Sequence, residues 1–227
     1  MRIDVLTLFP EMFSALESGI MGKALSNGLI ELNKINIRDF SKDRHKKCDD
    51  YAFGGGAGMV MLAQPICDTF RTIDPNHKGL HIYLSPKGKQ LNQEMVIELA
   101  KNPYLILLCG HYEGVDQRAI DKNIDIEISI GDYVLMGGEL PAMVLIEAVS
   151  RYIPKVLHSE ESTAEETFID NLLEYPQYTR PFDFEGDTAP DVLISGNHEN
   201  VKKWRYNQRV KLTEKLRPDL LKKNNKI

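Results

Sequence analysis

Short apolar runs alternate with helical patterns along roughly the first two thirds of the chain. The runs IDVLTLF, LIELNKINI, LHIYLS, YLILLCG and IDIEISIG have the length and apolar content of buried strands. Segments with apolar residues at helical spacing lie between them, among them QPICDTFRTI, NQEMVIELAKN and PAMVLIEAVSRYI. Strands that alternate with helices predict an α/β domain with a mainly parallel sheet.

The pattern is interrupted at three places. The segment RDFSKDRHKKCDDYAFGGGAGM is polar, rich in glycine and aperiodic, as functional or disordered loops are. The strand LHIYLS is expected to end in a turn at PKGKQ. Residues 154–185 are acidic and aperiodic, which predicts a linker, and ENVKKWRYNQRVKLTEKL then predicts a basic amphipathic helix in a small helical tail.

Charge is segregated along the chain. The net charge of −5 argues by itself against a nucleic-acid partner. However, residues 201–227 carry ten basic residues against two acidic ones, and residues 160–191 carry ten carboxylates against one arginine. Such a chain can present a basic face to phosphate groups while remaining acidic overall. The alternative is an ordinary solvated helix.

Two features bear on the compartment. Asp4 comes too early for a secretion signal, and no apolar run approaches the length that spans a membrane. The three cysteines, Cys48, Cys67 and Cys109, are odd in number and lack zinc-finger spacing. We therefore expect reduced thiols, a cytoplasmic protein and no membrane partner.

Three loops follow predicted strands: SPKG, CGHYEG and SIGDYVLMGG. In open parallel sheets, ligands bind beyond the carboxyl ends of the strands, so these loops are expected to share one pocket. The glycine signatures of dinucleotide and phosphate-loop sites are missing, which disfavours a phosphate site. An adenosine-containing ligand without phosphates remains open.

The loop sequences occur in a longer collinear set. It comprises DRHKKCDDYAFGGGAGM, SPKG, CGHYEGVDQR, SIGDYVLMGGELPA, SRYIP, PQYTRP and SGNHENVKKWR. Together these motifs resemble the bacterial tRNA (guanine-N1)-methyltransferase family, which methylates guanosine at position 37, beside the anticodon. The resemblance runs nearly from end to end.

The resemblance implies a fold and a division of the chain. It implies a SPOUT-class α/β domain whose sheet carries a deep trefoil knot that binds S-adenosylmethionine. We expect this domain at residues 1–158, a linker at 159–175 and a helical tRNA-binding domain at 176–227. Because the linker is acidic and aperiodic, we expect it to be disordered or loosely packed before tRNA binds.

The family's cofactor contacts carry over to the three loops. They fall on Ser85, Pro86, Gly110, Tyr112, Glu113, Ile130, Gly131, Asp132, Tyr133, Val134, Leu135, Gly137, Gly138 and Pro141.

Methylation at guanine N1 requires a base and a cation, because N1 carries a proton at neutral pH and negative charge develops on O6. The resemblance implies Arg151, in SRYIP, as the cation. The family's base is an aspartate in an Asp-Ser-Phe motif, where this chain has Glu166 followed by Thr167. Glu166 is therefore the expected base and Asp170 the alternative.

The resemblance also indicates contacts and partners. Expected tRNA contacts are Arg44, His45, Asp49, Gly55, Asn197, His198, Trp204 and Arg205. Trp204 is equally consistent with helix packing. The family forms homodimers and acts on RNA, so we expect a second copy and tRNA as partners and no DNA. His45, His111 and His198 lack metal-ligand spacing, so we expect no structural metal, although the resemblance allows a catalytic Mg²⁺.

Three alternative functions fit the motifs less well. A SPOUT methyltransferase for another nucleotide is disfavoured by the DRH and WR motifs. A non-catalytic RNA-binding module is disfavoured by Arg151 together with a linker carboxylate. A dinucleotide oxidoreductase lacks its phosphate fingerprint.

Overall fold

The computed structural model describes residues 1–157 and 166–223. The chain forms two compact units, Met1–His158 and Ser159–Ile227, and each is treated by itself. The division into a cofactor domain, a separate linker and a tRNA-binding domain remains a prediction. Among the described residues, no helix is both long and apolar enough to cross a membrane.

The first unit is built on a parallel sheet of five strands in the order β2-β1-β6-β5-β7. Its strands are β1 (Arg2–Thr7), β2 (Glu31–Asn36), β5 (Leu80–Gln90), β6 (Tyr104–Cys109) and β7 (Ile126–Ser129). Two short strands, β3 (Asp49–Asp50) and β4 (Val60–Met61), pair antiparallel within the long polar segment. The predicted mainly parallel α/β architecture is confirmed.

Apolar clusters cover both faces of the sheet at its central strands, which explains why β6 reads as a continuous apolar run. Along β6, Leu105 and Leu107 face one apolar cluster, whereas Ile106 and Leu108 face another. This alternation follows from the two-residue period of a strand. The central strands therefore carry apolar side chains in both directions.

The described part of the first unit contains five α-helices. They are α1 (Gly19–Ser26), α2 (Ala63–Ile73), α3 (Gln93–Ala100), α4 (Gln117–Asn123) and α5 (Glu139–Ser150). The Asn92 side chain caps α3 by accepting from the backbone N–H of Met95 at 2.9 Å. Pro141 lies in the first turn of α5, as predicted, where its missing N–H costs no helical hydrogen bond.

The turn predicted at PKGKQ is only partly correct. The chain leaves the sheet after Leu84 and returns to it, so that Lys89 pairs with Ile128 and Gln90 with Ser129. A Cβ at Gly88 would lie 2.4 Å from the backbone of β7. Only glycine permits this return, and β5 consequently extends to Gln90.

The second unit contains β8 (Asp183–Phe184), β9 (Asp187–Thr188), α6 (His198–Leu216) and α7 (Pro218–Lys223). A short 3-10 helix, Ile169–Asn171, precedes them. The expectation of a loosely packed linker is wrong for its described part, because Leu172 is buried and Leu173 is hydrogen-bonded to α6. Residues 159–165 of the predicted linker lie outside the described residues.

Candidate active site

The carboxyl ends of β5, β6 and β7 surround a cavity of about 250 Å³. The three loops expected to share a pocket do line it together. Predicted cofactor contacts that line it are Ser85, Pro86, Gly110, Tyr112, Glu113, Ile130, Gly131, Tyr133, Val134, Leu135, Gly137, Gly138 and Pro141. Asp132 is exposed and is not among the lining residues.

Close approach of two backbone segments forms one wall of the cavity. The N–H of Gly138 donates to the carbonyl of Gly110 at 2.8 Å, and Gly137 forms a β-bridge with His111. A Cβ on Gly138 would lie 2.8 Å from the Cα of Cys109, closer than real Cβ atoms come. Glycine at this position is therefore a requirement of the contact.

A buried carboxylate lies behind this wall. Glu139, the first residue of α5, accepts a hydrogen bond at Oε1 from the hydroxyl of Thr7 at 2.8 Å. Its Oε2 lies 3.9 Å from Nδ1 of His111, which is a cavity-lining residue.

Burial, and secondarily the charge of Glu139, raises the pKa of the Cys109 thiol well above its usual value. The thiol is thus held protonated.

Sequence reasoning did not predict several polar side chains of the cavity, among them two that carry buried polar atoms. Glu127, on β7, and His111 both line it, and Glu127 Oε2 and His111 Nδ1 are buried without a hydrogen-bond partner among the described residues. For Glu127 a signal existed, because a charged residue between Ile126 and Ile128 interrupts an apolar strand. Buried polar atoms are normally satisfied, so such exceptions in a cavity point to a ligand.

The two predicted catalytic residues lie in different units. Arg151 is exposed and directly follows α5 in the first unit. Glu166 is half-buried in the second unit, where it begins a compact loop, and Asp170 is exposed in the 3-10 helix.

The loop of residues 166–174, here called the base loop, is closed by its own hydrogen bonds. Ile169 N–H donates to the Glu166 carbonyl at 3.1 Å, and Phe168 N–H to the Leu172 carbonyl at 2.9 Å. Glu174 N–H donates to the hydroxyl of Thr167 at 3.1 Å. Three residues of this loop have left-handed backbone conformations: Phe168, Asp170 and Asn171. Such conformations persist only where the surroundings hold them.

Helix α6 holds the base loop through two buried polar side chains. Arg209 donates from Nη2 to the Ile169 carbonyl at 3.1 Å and from Nε to the Leu173 carbonyl at 3.4 Å. Thr213 accepts at Oγ1 from the N–H of Leu173 at 2.8 Å. The charged helix predicted from the sequence therefore uses an arginine as an internal anchor, which composition alone did not distinguish from a phosphate-binding cation.

The predicted tRNA contacts fall at several places. Arg44, His45 and Gly55 are exposed in the long polar segment, and Asp49 lies in β3. Asn197 caps α6, and His198 is its first, exposed residue.

Two of the predicted contacts on α6 already have aromatic neighbours. The Trp204 ring lies 6.3 Å from that of Tyr178, and the Arg205 guanidinium lies 4.7 Å above the ring of Tyr175. Packing within the unit thus accounts for part of the surface of both side chains. Their role towards tRNA remains a prediction.

One group of side chains among the described residues has the spacing of a metal site: His77, His81 and Asp125. Its atoms are already engaged in hydrogen bonds. His77 Nε2 contacts Asp125 at 2.9 Å, and His81 contacts Asp74 at 3.0 Å and the Asn123 carbonyl at 2.7 Å. These hydrogen bonds are sufficient to explain why the three side chains lie close together.

Comparison with known proteins identifies extensive similarity. Residues 1–223 match the family model described as tRNA (Guanine-1)-methyltransferase TrmD. A protein of Ruminiclostridium cellulolyticum named tRNA (guanine-N(1)-)-methyltransferase is 57% identical over 226 residues, covering 98% of this chain and 97% of its own. A protein of the same name from Clostridium botulinum (strain Alaska E43) is 55% identical, covering 98% and 93%.

Proposed function

The chain belongs to the tRNA (guanine-1)-methyltransferase family, and from that premise we propose how its residues carry out the reaction. It is an S-adenosylmethionine-dependent tRNA methyltransferase that acts on N1 of guanosine at position 37. The observation that supports our assignment of the cofactor site is the cavity lined together by the loops SPKG, CGHYEG and SIGDYVLMGG, which follow β5, β6 and β7.

The cavity fits S-adenosylmethionine in chemistry. Leu135 and Pro141 offer apolar surface, the loop of residues 130–138 offers main-chain groups, and Glu127 Oε2 lacks a hydrogen-bond donor among the described residues. When bound, the cofactor supplies an electrophilic methyl group on a sulfonium. Asp132 is the one predicted contact for which the cavity gives no support.

The protein itself must remove the proton from guanine N1 and stabilise the negative charge that develops on O6. Glu166 accepts the N1 proton, which leaves the N1 lone pair free to act as the nucleophile. The bound cofactor would supply the methyl group that this lone pair receives. The guanidinium of Arg151 faces the negative charge on O6. General-base assistance of this kind contributes about 10²- to 10⁴-fold to the rate. Relative to aspartate, the additional methylene of glutamate increases reach, so the base loop must restrain it.

The remaining features are proposed from the family resemblance. They are a trefoil knot in the first unit, a homodimer, and a cytoplasmic location, with Mg²⁺ as an optional cofactor. Arg44, His45, Asp49, Gly55, Asn197, His198, Trp204 and Arg205 are the proposed tRNA contacts. The positive charge of α6 and its exposed lysines suits phosphate binding.

The test is transfer of a labelled methyl group from S-adenosylmethionine to a tRNA transcript with guanosine at position 37. We expect Glu166→Gln and Arg151→Ala to lose at least about 100-fold in single-turnover rate. Asp170→Asn serves as the matched control and is expected to retain the wild-type rate. Full transfer by Glu166→Gln together with loss in Asp170→Asn would move the base to Asp170. A transcript with adenosine at position 37 should accept no label.

A further inference from the structure

The carboxylate of Glu127, in the first unit, has an oxygen atom for which the described residues supply no hydrogen-bond donor. Its Oε2 has almost no solvent contact and no hydrogen-bond partner among the described residues. Acidic side chains are rarely buried unless they are paired, because loss of hydration is costly. The side chain lines the cavity at the strand ends, so the missing donor can be supplied by whatever occupies that cavity.

The neighbouring strand β5 places a hydroxyl beside Glu127 but does not supply the hydrogen bond that Oε2 lacks. Glu127 lies opposite Tyr83 in the parallel register of β5 and β7, and both residues line the cavity. Burial, and secondarily the charge of Glu127, raises the pKa of Tyr83 to about 12. The Tyr83 hydroxyl therefore stays protonated, yet no hydrogen bond joins it to Glu127 Oε2.

The depth of Glu127 limits which part of the cofactor it meets. Val134 and Met136 are 82% and 92% exposed and form the rim of the cavity, whereas Glu127 Oε2 is buried. The methyl group must reach a macromolecular substrate, so the sulfonium belongs near the rim. The nucleoside half, with its ribose hydroxyls and adenine amino group, is then the part that offers donors at depth.

Resting on the proposed function, we propose that Glu127 is an unassigned binding residue that accepts a hydrogen bond from the adenosine moiety of S-adenosylmethionine. A charged acceptor satisfied only in the complex makes binding more favourable than a neutral one would. It also leaves the empty site with a buried carboxylate oxygen, Oε2, that has no donor among the described residues. The same residue thus favours the loaded protein and disfavours the empty one.

Direct binding to the full-length protein, measured by titration calorimetry without tRNA, tests this assignment. Glu127→Gln keeps the shape of the side chain and removes its charge, and the exposed Glu94→Gln on α3 is the matched control. The ligands are S-adenosylmethionine, S-adenosylhomocysteine, which lacks the sulfonium charge, and methylthioadenosine, which lacks the ammonium group. We expect Glu127→Gln to weaken all three by a similar factor of at least about ten.

The pattern across the three ligands decides the result. If only the two ligands with an ammonium group weaken, the contact is to the amino-acid half and the assignment is overturned. Weakening of S-adenosylmethionine alone would indicate an effect on the sulfonium and would also overturn it, as would unchanged binding of all three.

Thermal unfolding separates a binding role from a structural one. Without ligand, the midpoint temperature of Glu127→Gln should equal or exceed that of the wild type, because a neutral amide replaces a carboxylate whose buried Oε2 lacks a donor among the described residues. A lower midpoint would show that Glu127 stabilises the fold and would contradict the proposal. If the wild-type protein binds none of the ligands, the proposed cofactor site is wrong. If the wild type binds them and Glu127→Gln binds them equally well, only the proposed role of Glu127 is wrong.

Discussion

The cavity at the strand ends, here called the strand-end cavity, and the base loop are held in shape by different physical means. In the cavity, main-chain segments approach until no Cβ fits between them, as at Gly138 against Cys109. In the base loop, left-handed residues are held by two buried polar side chains, Arg209 and Thr213, from a helix about 40 positions away in sequence.

This difference determines how each region responds to substitution. A wall formed by backbone tolerates almost no added atom, since neighbouring backbone cannot rotate away as a side chain can. A loop held by hydrogen bonds loses only part of its stability when a substitution removes one hydrogen-bond partner. Four substitutions test the comparison, in order of decreasing expected effect.

Gly138→Ala should have the largest effect, because its Cβ would meet the backbone of Cys109 and Gly110. We expect the free energy of unfolding to fall by about 3 kcal/mol and cofactor binding to be lost in calorimetry. The control is Gly28→Ala, whose Cβ meets nothing within 4 Å and strains only a left-handed backbone. It should cost about 1 kcal/mol. Equal losses in both variants would mean that the close approach is unimportant.

Arg209→Met should remove both donors from the Ile169 and Leu173 carbonyls while preserving the length of the side chain. We expect a loss of about 2 to 3 kcal/mol in unfolding of the second unit, with faster amide exchange in the base loop. Lys211→Met, an exposed change on the same helix, is the control. Unchanged exchange at Leu173 in Arg209→Met would contradict the anchoring role.

Thr213→Val should cost less, about 1 kcal/mol, because the two hydrogen bonds that it removes join neutral groups and the shape of the side chain changes little. The hydroxyl accepts one of them from the N–H of Leu173 and donates the other to the Arg209 carbonyl within α6. Thr213→Ser retains the hydroxyl that accepts from Leu173 and should recover the amide protection of that residue. Exchange that is equally fast in the serine and valine variants would assign the effect to packing of the methyl group.

Asp132→Asn should have the smallest effect. Asp132 is exposed and outside the cavity lining, although it lies within the glycine-rich motif. We expect an unchanged dissociation constant for S-adenosylmethionine by calorimetry. A tenfold weaker constant would restore Asp132 to the cofactor contacts and show that the cavity rearranges around its ligand.

Most of the first unit could be predicted because its signals are local. The apolar runs of β1 and β6 and the helical spacing of α3 and α5 each appear within about a dozen residues. The return of β5 at Lys89 and Gln90 could not be predicted in this way, because it depends on pairing with β7, nearly 40 residues later. In the second unit, the described part of the linker was expected to be loose, since its acidic composition does not reveal the anchors that α6 supplies.

By itself, the sequence determined the α/β class, the loops that follow the strands and the family. These follow from periodicity and contiguous motifs, which need no knowledge of distant contacts. Glu166 and Arg151 are proposed as the catalytic pair from the family resemblance. Only the tertiary structure decided that Glu127 lies in the cavity without a donor and that Arg209 is an internal anchor. The physical reason is that burial and hydrogen bonding depend on residues far apart in sequence. The position of Glu127 between two isoleucines marks it as unusual, but only the folded chain shows which groups surround it and which hydrogen bonds Arg209 makes.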